Sequence, residues 1–291
     1  MLQLSIRGQL GRQLFLLAVG LFVLLPVWVL LVVATDGSTT GYPEGFHPLP
    51  VAPTLDRFAT VLNRPGHELN YLGVLGNSLL VAGSSALAAV VLGASMAYAF
   101  ARLRFAGRQA GLVLVLAGAF LPPIALAVPL FMLFITLERM IPALAEFGLR
   151  DSTLALALLY GSFAMPLCLW LMRAAFRAVP TELEDAASVD GASRFTAFRR
   201  ISLPLATPSI LVAALVAFLL GFTEFALAWM FVDSGRNVTL AMVMAEVGTG
   251  YQGPTWGLTA AHGLLMALPV VVIFVVLQRA LLRGSLAGVL D

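Results

Sequence analysis

The feature that most constrains this chain is the spacing of its charged residues. Five stretches contain no charged residue at all: 13–35, 69–101, 109–137, 152–172 and 247–278. A sixth, 201–232, contains only Glu224. Crossing the hydrocarbon of a bilayer takes about 20 residues of α-helix. The pattern therefore predicts six membrane-spanning helices, at about 14–34, 75–101, 110–136, 152–174, 208–232 and 258–281.

The composition supports a protein surrounded by lipid. Hydrophobic residues make up 60% of the chain, charged residues only 11%, and the mean hydropathy is +0.96. Backbone groups in lipid find hydrogen-bond partners only within their own helix or in a closed barrel. Because short strands of alternating polarity are not seen, the predicted fold class is an all-α integral membrane protein.

The arginines predict the orientation of the chain. If the N-terminus is cytoplasmic, twelve arginines fall on the cytoplasmic side and five on the outer side. Arginine is favoured in cytoplasmic loops, so both termini are expected in the cytoplasm. The net charge of +2 is then a signal of topology, and nothing favours binding to nucleic acid. The first apolar run is longer than that of a usual signal peptide, so we expect it to remain as a membrane span.

The chain lacks the common motifs of enzymes and metal sites. It contains no lysine, which a phosphate-binding loop of the G-x-x-x-x-G-K-[ST] type requires. His47, His67 and His262 have no metal-ligand spacing, and no G-x-S-x-G nucleophile motif occurs. The sequence therefore predicts no catalytic residue, no metal and no cofactor in this chain.

Prolines and small residues indicate how individual spans behave. The outer segment 35–73 is rich in Pro and Gly, which predicts an irregular connector with one short helix near 55–63. Small residues follow Asn77 along the second span and predict close helix packing. Pro122 and Pro123 lie in the middle of the third span, which is therefore expected to bend or break.

The segment between the fourth and fifth spans carries dense mixed charge. Thr181 and Glu184 have capping-box spacing, which predicts a short helix from Thr181 to about Val189. Asp190-Gly191 predicts a turn, and a second short helix containing Phe195, Phe198 and Ile201 is expected to stop at Pro204 and Pro208. From residue chemistry alone, this helix–turn–helix is either a docking device for a partner protein or a solvated loop.

A resemblance favours the docking device. The residues Asp185-Ala186-Ala187-x-x-Asp190-Gly191-Ala192, followed by Leu203-Pro204 and Pro208, resemble the EAA loop of ABC importer permeases, here at 175–207. The family has Glu where this chain has Asp185. Thr223-Glu224-Phe225 and the stretch from Trp256-Gly257 to Gln278-Arg279 resemble carbohydrate-type permeases, in particular the smaller permease subunit of maltose-type transporters.

The resemblance covers about 74–284 and implies a type I ABC importer permease. It divides the chain into a first helix with an outer loop (1–73), a core permease domain (74–284) and a cytoplasmic tail (285–291). The implied partners are a second permease subunit, an ATPase dimer that binds ATP and Mg²⁺, an extracytoplasmic substrate-binding protein and membrane lipid. The implied function is import of a sugar, a polyol or a sugar phosphate across the cytoplasmic (inner) membrane.

The resemblance also assigns roles to residues. The residues expected to couple the chain to the ATPase are Glu182, Glu184, Asp185, Ala186, Ala187, Asp190, Gly191 and Ala192. Asp185 would accept a salt bridge from the ATPase, and Gly191 would form a turn that a side chain would crowd. Glu224, Asn77, Pro122 and Pro123 are expected in the translocation pathway or at the interface with the sister subunit. Within the outer loop 233–257, Tyr251, Gln252 and Trp256 are expected to contact the binding protein.

One alternative is an ion-coupled secondary transporter that acts alone. It would account for six spans and for a carboxylate in the membrane at Glu224. It would not account for the helix–turn–helix at 181–202, and an inverted repeat, which such transporters often contain, is not seen.

Overall fold

The computed structural model describes residues 6–39, 41, 45, 47–63, 69–146, 148–249 and 256–287. Its helices are α1 (Ile6–Thr35), α2 (Asp56–Asn63), α3 (Tyr71–Arg102), α4 (Arg108–Gly118), α5 (Pro123–Met140), α6 (Pro142–Glu146), α7 (Thr153–Ala178), α8 (Thr181–Val189), α9 (Arg194–Ala197), α10 (Leu203–Leu205), α11 (Thr207–Thr223), α12 (Ala226–Phe231), α13 (Leu240–Thr249) and α14 (Trp256–Ala287). A π-helical turn, Phe198–Ser202, joins α9 to α10. Within these ranges there is no β-strand, only an isolated bridge between Asp36 and Pro53.

The apolar runs predicted as spans are helical. Five described helices are long and apolar enough to cross a membrane: α1, α3, α5, α7 and the part of α14 up to Arg279. A sixth span results if 194–205 and α11, which meet at a bend of 77°, count as one. The third predicted span is divided into α4 and α5 at Pro122-Pro123, as the prolines predicted. The fifth, expected as one helix over 208–232, is interrupted at Glu224 and Phe225.

Contacts divide the chain into two compact units, the first formed by Met1–Arg64 and Met244–Leu268. In this unit, the chain folds back just after the end of α1, and hydrogen bonds to Asp36 hold this fold, which we call the corner. The Asp36 carboxylate accepts hydrogen bonds from the Ser38 hydroxyl (2.7 Å) and from the amides of Ser38, Val51 and Ala52 (3.0–3.1 Å). These bonds, led by the Ser38 hydroxyl and the Val51 amide, hold the pKa of the Asp36 carboxyl well below its usual range.

The corner continues through Arg57 on α2. Its guanidinium donates hydrogen bonds to the carbonyls of Val33 and Thr39, both at 2.5 Å. Gly257 leaves the space that this guanidinium occupies, because a Cβ at that position would overlap it. The predicted short helix near 55–63 is confirmed by α2. The expectation that the rest of this segment is irregular is confirmed for the residues that the structure describes, which also fold back onto the end of α1.

The second unit, Pro65–Val243 and Pro269–Asp291, is built around α3, α7 and α11. Glycines allow these helices to pack closely. A Cβ on Gly93 of α3 would lie 3.0 Å from the Cys168 Cβ on α7, and one on Gly161 of α7 would lie 3.1 Å from the Ser85 carbonyl oxygen. A Cβ on Gly221 of α11 would lie 2.6 Å from the Ser85 hydroxyl oxygen. The close packing predicted for the small residues of the second span is confirmed.

The segment after α12 is tied to α3 and to the start of α7. The Asp151 carboxylate accepts hydrogen bonds from the amides of Asp233 (3.2 Å) and Ser234 (3.1 Å). The Asn77 side-chain amide donates to the carbonyls of Arg236 (2.6 Å) and Val238 (3.1 Å). The region 233–257 was expected to be a loop, but α13 (Leu240–Thr249) occupies part of it. The three-part domain division at 73 and 284 stays a prediction.

Candidate coupling site

The helix predicted over 181–189 is present as α8 with the same bounds. Most of its side chains are exposed, including Glu182, Asp185 and Ala186. Only Glu184 and Ala187 are partly buried, and no residue of α8 is fully buried. The helix therefore offers a polar, acidic surface from which Asp185 and Ala186 are accessible.

The turn after α8 is a Schellman motif. The Ala192 amide donates to the Ala187 carbonyl (2.9 Å) and the Gly191 amide to the Ser188 carbonyl (3.1 Å). Gly191 has φ +86°, a left-handed conformation that glycine adopts without strain. The predicted turn is confirmed, but crowding is not its cause within this chain, because no atom lies within 4 Å of a Cβ built on Gly191.

The predicted second short helix comprises α9, the π-helical turn and α10. The Ser193 hydroxyl caps α9 by accepting a hydrogen bond from the Thr196 amide at 3.2 Å. Pro204 and Pro208 were expected to stop this helix, but each lies in the first turn of a helix, of α10 and α11 respectively. Proline is tolerated at the start of α11 because first-turn amides lack helical partners. Pro204 follows directly on the π-helical turn, within the helical stretch 194–205. The chain bends between α10 and α11 instead.

The predicted capping box at the start of α8 is wrong. Pro180 is the N-cap residue, and no side chain caps the helix. The Glu184 carboxylate forms a salt bridge with Arg102 Nε at 3.1 Å. It also accepts hydrogen bonds from the Tyr98 hydroxyl (3.1 Å) and the Ser202 hydroxyl (2.5 Å). Tyr98, Arg102 and Ser202 were not among the predicted site residues, because the sequence shows no link between them and Glu184.

An open groove lies beside the turn. It has a volume of about 660 Å³ and is lined by residues from both arms of the hairpin, including Ala187, Gly191, Ser193, Ala197, Arg200 and Ile201. Val189 and Phe195, on either side of the turn, are 88% and 68% exposed. Exposed apolar side chains next to a groove are typical of an interaction surface. We call residues 181–202 the coupling hairpin, after the role that the sequence predicts for them.

Glu224 holds the interruption between α11 and α12. Its carboxylate accepts hydrogen bonds from the amides of Leu227 (3.0 Å) and Ala228 (3.4 Å), which satisfies donors in the first turn of α12. A carboxylate is favourable at that end of a helix. These contacts lie within the chain; whether Glu224 also lies in a pathway or at a subunit interface stays a prediction.

Removing the Glu224 carboxylate tests its role. We expect Glu224→Ala to destabilise the chain by about 1–2 kcal/mol, because two helix-end amides lose their acceptor. Thermal unfolding in detergent measures this effect, and Glu224→Gln, which keeps an acceptor oxygen, is expected to lose less. A Glu224→Ala protein with unchanged stability and abolished uptake would instead indicate that the carboxylate acts in the translocation pathway or at the interface with the sister subunit.

The other predicted pathway and loop residues differ in their exposure, and two of them lie outside the described residues. Pro122 and Pro123 are exposed and form the interruption between α4 and α5. Asn77 holds the segment after α12. Trp256, the first residue of α14, is 42% exposed, whereas Tyr251 and Gln252 lie outside the described residues. The described residues contain no group of three or more His, Cys, Asp or Glu that could hold a metal ion.

Family comparison places this architecture in a known class. Residues 89–285 match the family described as the inner membrane component of binding-protein-dependent transport systems. Because the match covers more than half of the chain, the chain belongs to this family. The predicted resemblance to ABC importer permeases is confirmed, and the protein is an all-helical multi-pass membrane protein.

Curated relatives make the similarity more specific. The chain is 33% identical over 220 residues to the trehalose transport system permease protein SugB of Mycobacterium tuberculosis, covering 75% of this chain and 76% of that protein. It is 35% identical over 214 residues to the maltose/maltodextrin transport system permease protein MalG of Escherichia coli, covering 74% and 70%. A trehalose/maltose transport system permease protein of Thermococcus litoralis is 29% identical over 265 residues, covering 91% and 90%.

Solved structures show the same fold. A bacterial ABC transporter involved in the import of the acidic polysaccharide alginate gives a TM-score of 0.68 at 17% identity, covering 96% of this chain and 99% of that chain. The methionine ABC transporter MetNI gives a TM-score of 0.57 at 19% identity, covering 73% and 95%. The fold is therefore that of a type I ABC importer permease.

Proposed function

We propose that this chain is one permease subunit of an ATP-driven importer for a sugar, a disaccharide, an oligosaccharide or a related polyol or sugar phosphate. It would lie in the cytoplasmic membrane with both termini in the cytoplasm. The names of the curated relatives support a carbohydrate substrate. The twelve arginines that fall on one side of the predicted topology support the orientation.

The observation that carries this proposal is the coupling hairpin. Its first helix, α8, exposes Asp185 and Ala186, and its Schellman turn fixes the direction of the second arm. The acidic surface is suited to basic groups on an ATPase subunit, and the groove beside Gly191 is suited to an inserted side chain. Because the chain has no lysine and hence no phosphate-binding loop of the usual type, ATP hydrolysis is assigned to separate subunits.

Two further partners complete the proposal. A second permease subunit would provide the other half of the pathway. An extracytoplasmic protein would deliver the sugar to the outer side, where Tyr251, Gln252 and Trp256 would contact it. ATP-driven closure of the ATPase dimer would draw the coupling hairpins together, and the bundles above them would rock to open the pathway on the other side. ATP can shift the importer from one open side to the other only if it makes different contacts in the two states.

Co-purification and uptake test the proposal together. The tagged chain is purified from its native membrane, and associated proteins are identified by mass spectrometry. For each copy of the chain we expect one copy of a second permease and two ATPase subunits. In proteoliposomes with the binding protein, labelled maltose or trehalose should enter only when ATP is present on the ATPase side.

Asp185→Arg should lower this uptake at least about tenfold, because it places like charges together at the interface. Asp56→Arg, at an exposed carboxylate of α2, is the matched control and should leave uptake near the wild-type level. Uptake by the chain alone, driven by an ion gradient without ATP, would establish the secondary transporter instead.

A further inference from the structure

Glu184 differs from the other carboxylates of the coupling hairpin because it faces the chain itself. Its side chain is 15% exposed and that of its partner Arg102 is 10% exposed. Glu182, Asp185 and Asp190 are all exposed. A largely desolvated ion pair requires additional hydrogen bonds to be favourable, and the hydroxyls of Tyr98 and Ser202 supply them.

The partners of Glu184 lie on different elements. Tyr98 and Arg102 are four residues apart, on one face of the last turns of α3. Ser202 is fully buried and ends the π-helical turn. Arg102 also donates a hydrogen bond to the Val179 carbonyl, just before α8 begins. One carboxylate therefore joins α8 to the end of a membrane span and to the far arm of the hairpin.

Aromatic packing lies next to these polar contacts. The Tyr98 ring lies 4.7 Å from the Phe198 ring and 5.8 Å from the Phe176 ring, and the last two are 5.9 Å apart. This cluster joins α3, α7 and the π-helical turn. It includes no residue of α8, which itself has no buried residue. In the part of the chain that the structure describes, the side-chain polar contacts between α8 and the membrane spans are therefore those of Glu184.

A docked helix can transmit force only if it does not rotate or peel away from the spans it must move. We propose that Glu184 is the positioning residue that locks α8 to α3 and to the π-helical turn, so that the coupling hairpin and the spans α3 and α7 move as one body. This inference rests on the proposed function, because it concerns how the hairpin passes on movement imposed by an ATPase.

The lock can be measured without any ATPase. Spin labels are attached at Val189→Cys, which is 88% exposed on α8, and at Ser95→Cys, which is exposed on α3. In the chain reconstituted in lipid nanodiscs, the distance distribution between the labels should be narrow. Glu184→Ala, which removes all three interactions, should broaden it, whereas Glu146→Gln, at an exposed carboxylate on α6, should not.

The assembled complex gives the second measurement. Glu184→Ala is expected to lower sugar uptake per ATP hydrolysed about tenfold or more, because a hairpin released from the spans no longer passes on the movement imposed by the ATPase. The release follows because the loss of one partner from a desolvated pair is costly. Glu184→Gln keeps the size of the side chain and loses the ion pair. Glu184→Gln and Tyr98→Phe, made as separate variants, should each give a ratio of sugar uptake to ATP hydrolysis between those of the wild type and Glu184→Ala. Both remain informative if Glu184→Ala assembles poorly.

The outcomes separate the two proposals. A narrow distance distribution and an unchanged uptake-to-ATP ratio in Glu184→Ala and Glu184→Gln would overturn the lock, even if the wild-type complex imports sugar. If the wild-type chain recruits no ATPase and takes up no sugar, the proposed function fails. The spin-label distances then still decide whether Glu184 holds α8 in place.

Discussion

Gly221→Val is expected to prevent stable packing of the central helices. A Cβ at this position would lie 2.6 Å from the Ser85 hydroxyl oxygen and 3.3 Å from the Ala82 Cα, and valine adds two methyl groups beyond it. Since the Ala82 Cα belongs to the backbone of α3, the helices must separate. Overpacking typically costs about 1–3 kcal/mol, and we expect about 3 kcal/mol or more here. The thermal midpoint of the purified chain should fall by about 10 °C.

A control variant and a set of rescue variants establish the cause. Gly83→Val, on the exposed side of α3 with nothing within 4 Å of its Cβ, is the matched control and should unfold near the wild-type temperature. Gly221→Ala should be partly rescued by Ser85→Ala, which removes the nearest atom. Gly221→Val should not be rescued, because the contact with Ala82 remains. Equal stability of Gly221→Val and Gly83→Val would contradict this account of the packing.

The second large effect is expected at Gly191, where the order of substitutions matters. A left-handed conformation costs a residue other than glycine about 1–2 kcal/mol, whereas asparagine adopts it more readily than alanine. A β-branched residue is the least compatible. Sugar uptake by the assembled complex should therefore decrease in the order Gly, Asn, Ala, Val, with Val at least about tenfold below the wild type.

This order distinguishes strain from crowding. If the space at Gly191 were filled by the ATPase subunit, alanine would be tolerated better than the larger asparagine. Circular dichroism and thermal unfolding of each variant show whether the whole chain or only the turn is affected. Because this strain acts on the folded chain itself, we expect the unfolding temperature to fall by a few degrees in the same order, Gly, Asn, Ala, Val. Crowding within the chain adds nothing to this loss, since no atom of the chain lies near the Cβ position of Gly191.

The spans could be predicted from the sequence because a charge within lipid is costly, so long uncharged runs leave few alternatives to a helix. The interruption at Pro122-Pro123 could also be predicted, because proline removes a backbone donor. The interruption at Glu224 and Phe225 could not, because no proline or glycine lies at that point. This interruption is visible only in the structure, where the Glu224 carboxylate accepts a hydrogen bond from the Leu227 amide at the start of α12.

The coupling hairpin was predictable in outline but not in its contacts. The glycine turn that ends α8 follows from local rules that involve neighbouring residues. The start of α8 was predicted at the right residue, but from a capping box that the structure does not form. The role of Glu184 depends on a competition between the start of its own helix and the groups of Tyr98 and Arg102, more than 80 residues away in the chain. A capping-box pattern includes only residues at the start of the helix, so it gives no information about Tyr98 and Arg102. The helix α13 was missed for a related reason, because ten mostly apolar residues beyond a span indicate no particular structure.

The π-helical turn makes the length of this segment significant in itself. The Leu203 amide reaches back five residues, to the Phe198 carbonyl, so the turn contains one residue more than an α-helix would. Deleting a single residue there would restore regular winding and leave the first arm of the hairpin close to its present orientation relative to α11, because the wider turn already takes up the extra residue. Deleting a residue from one of the α-helical stretches instead would turn the preceding arm by about 100°, since each residue of an α-helix adds that angle.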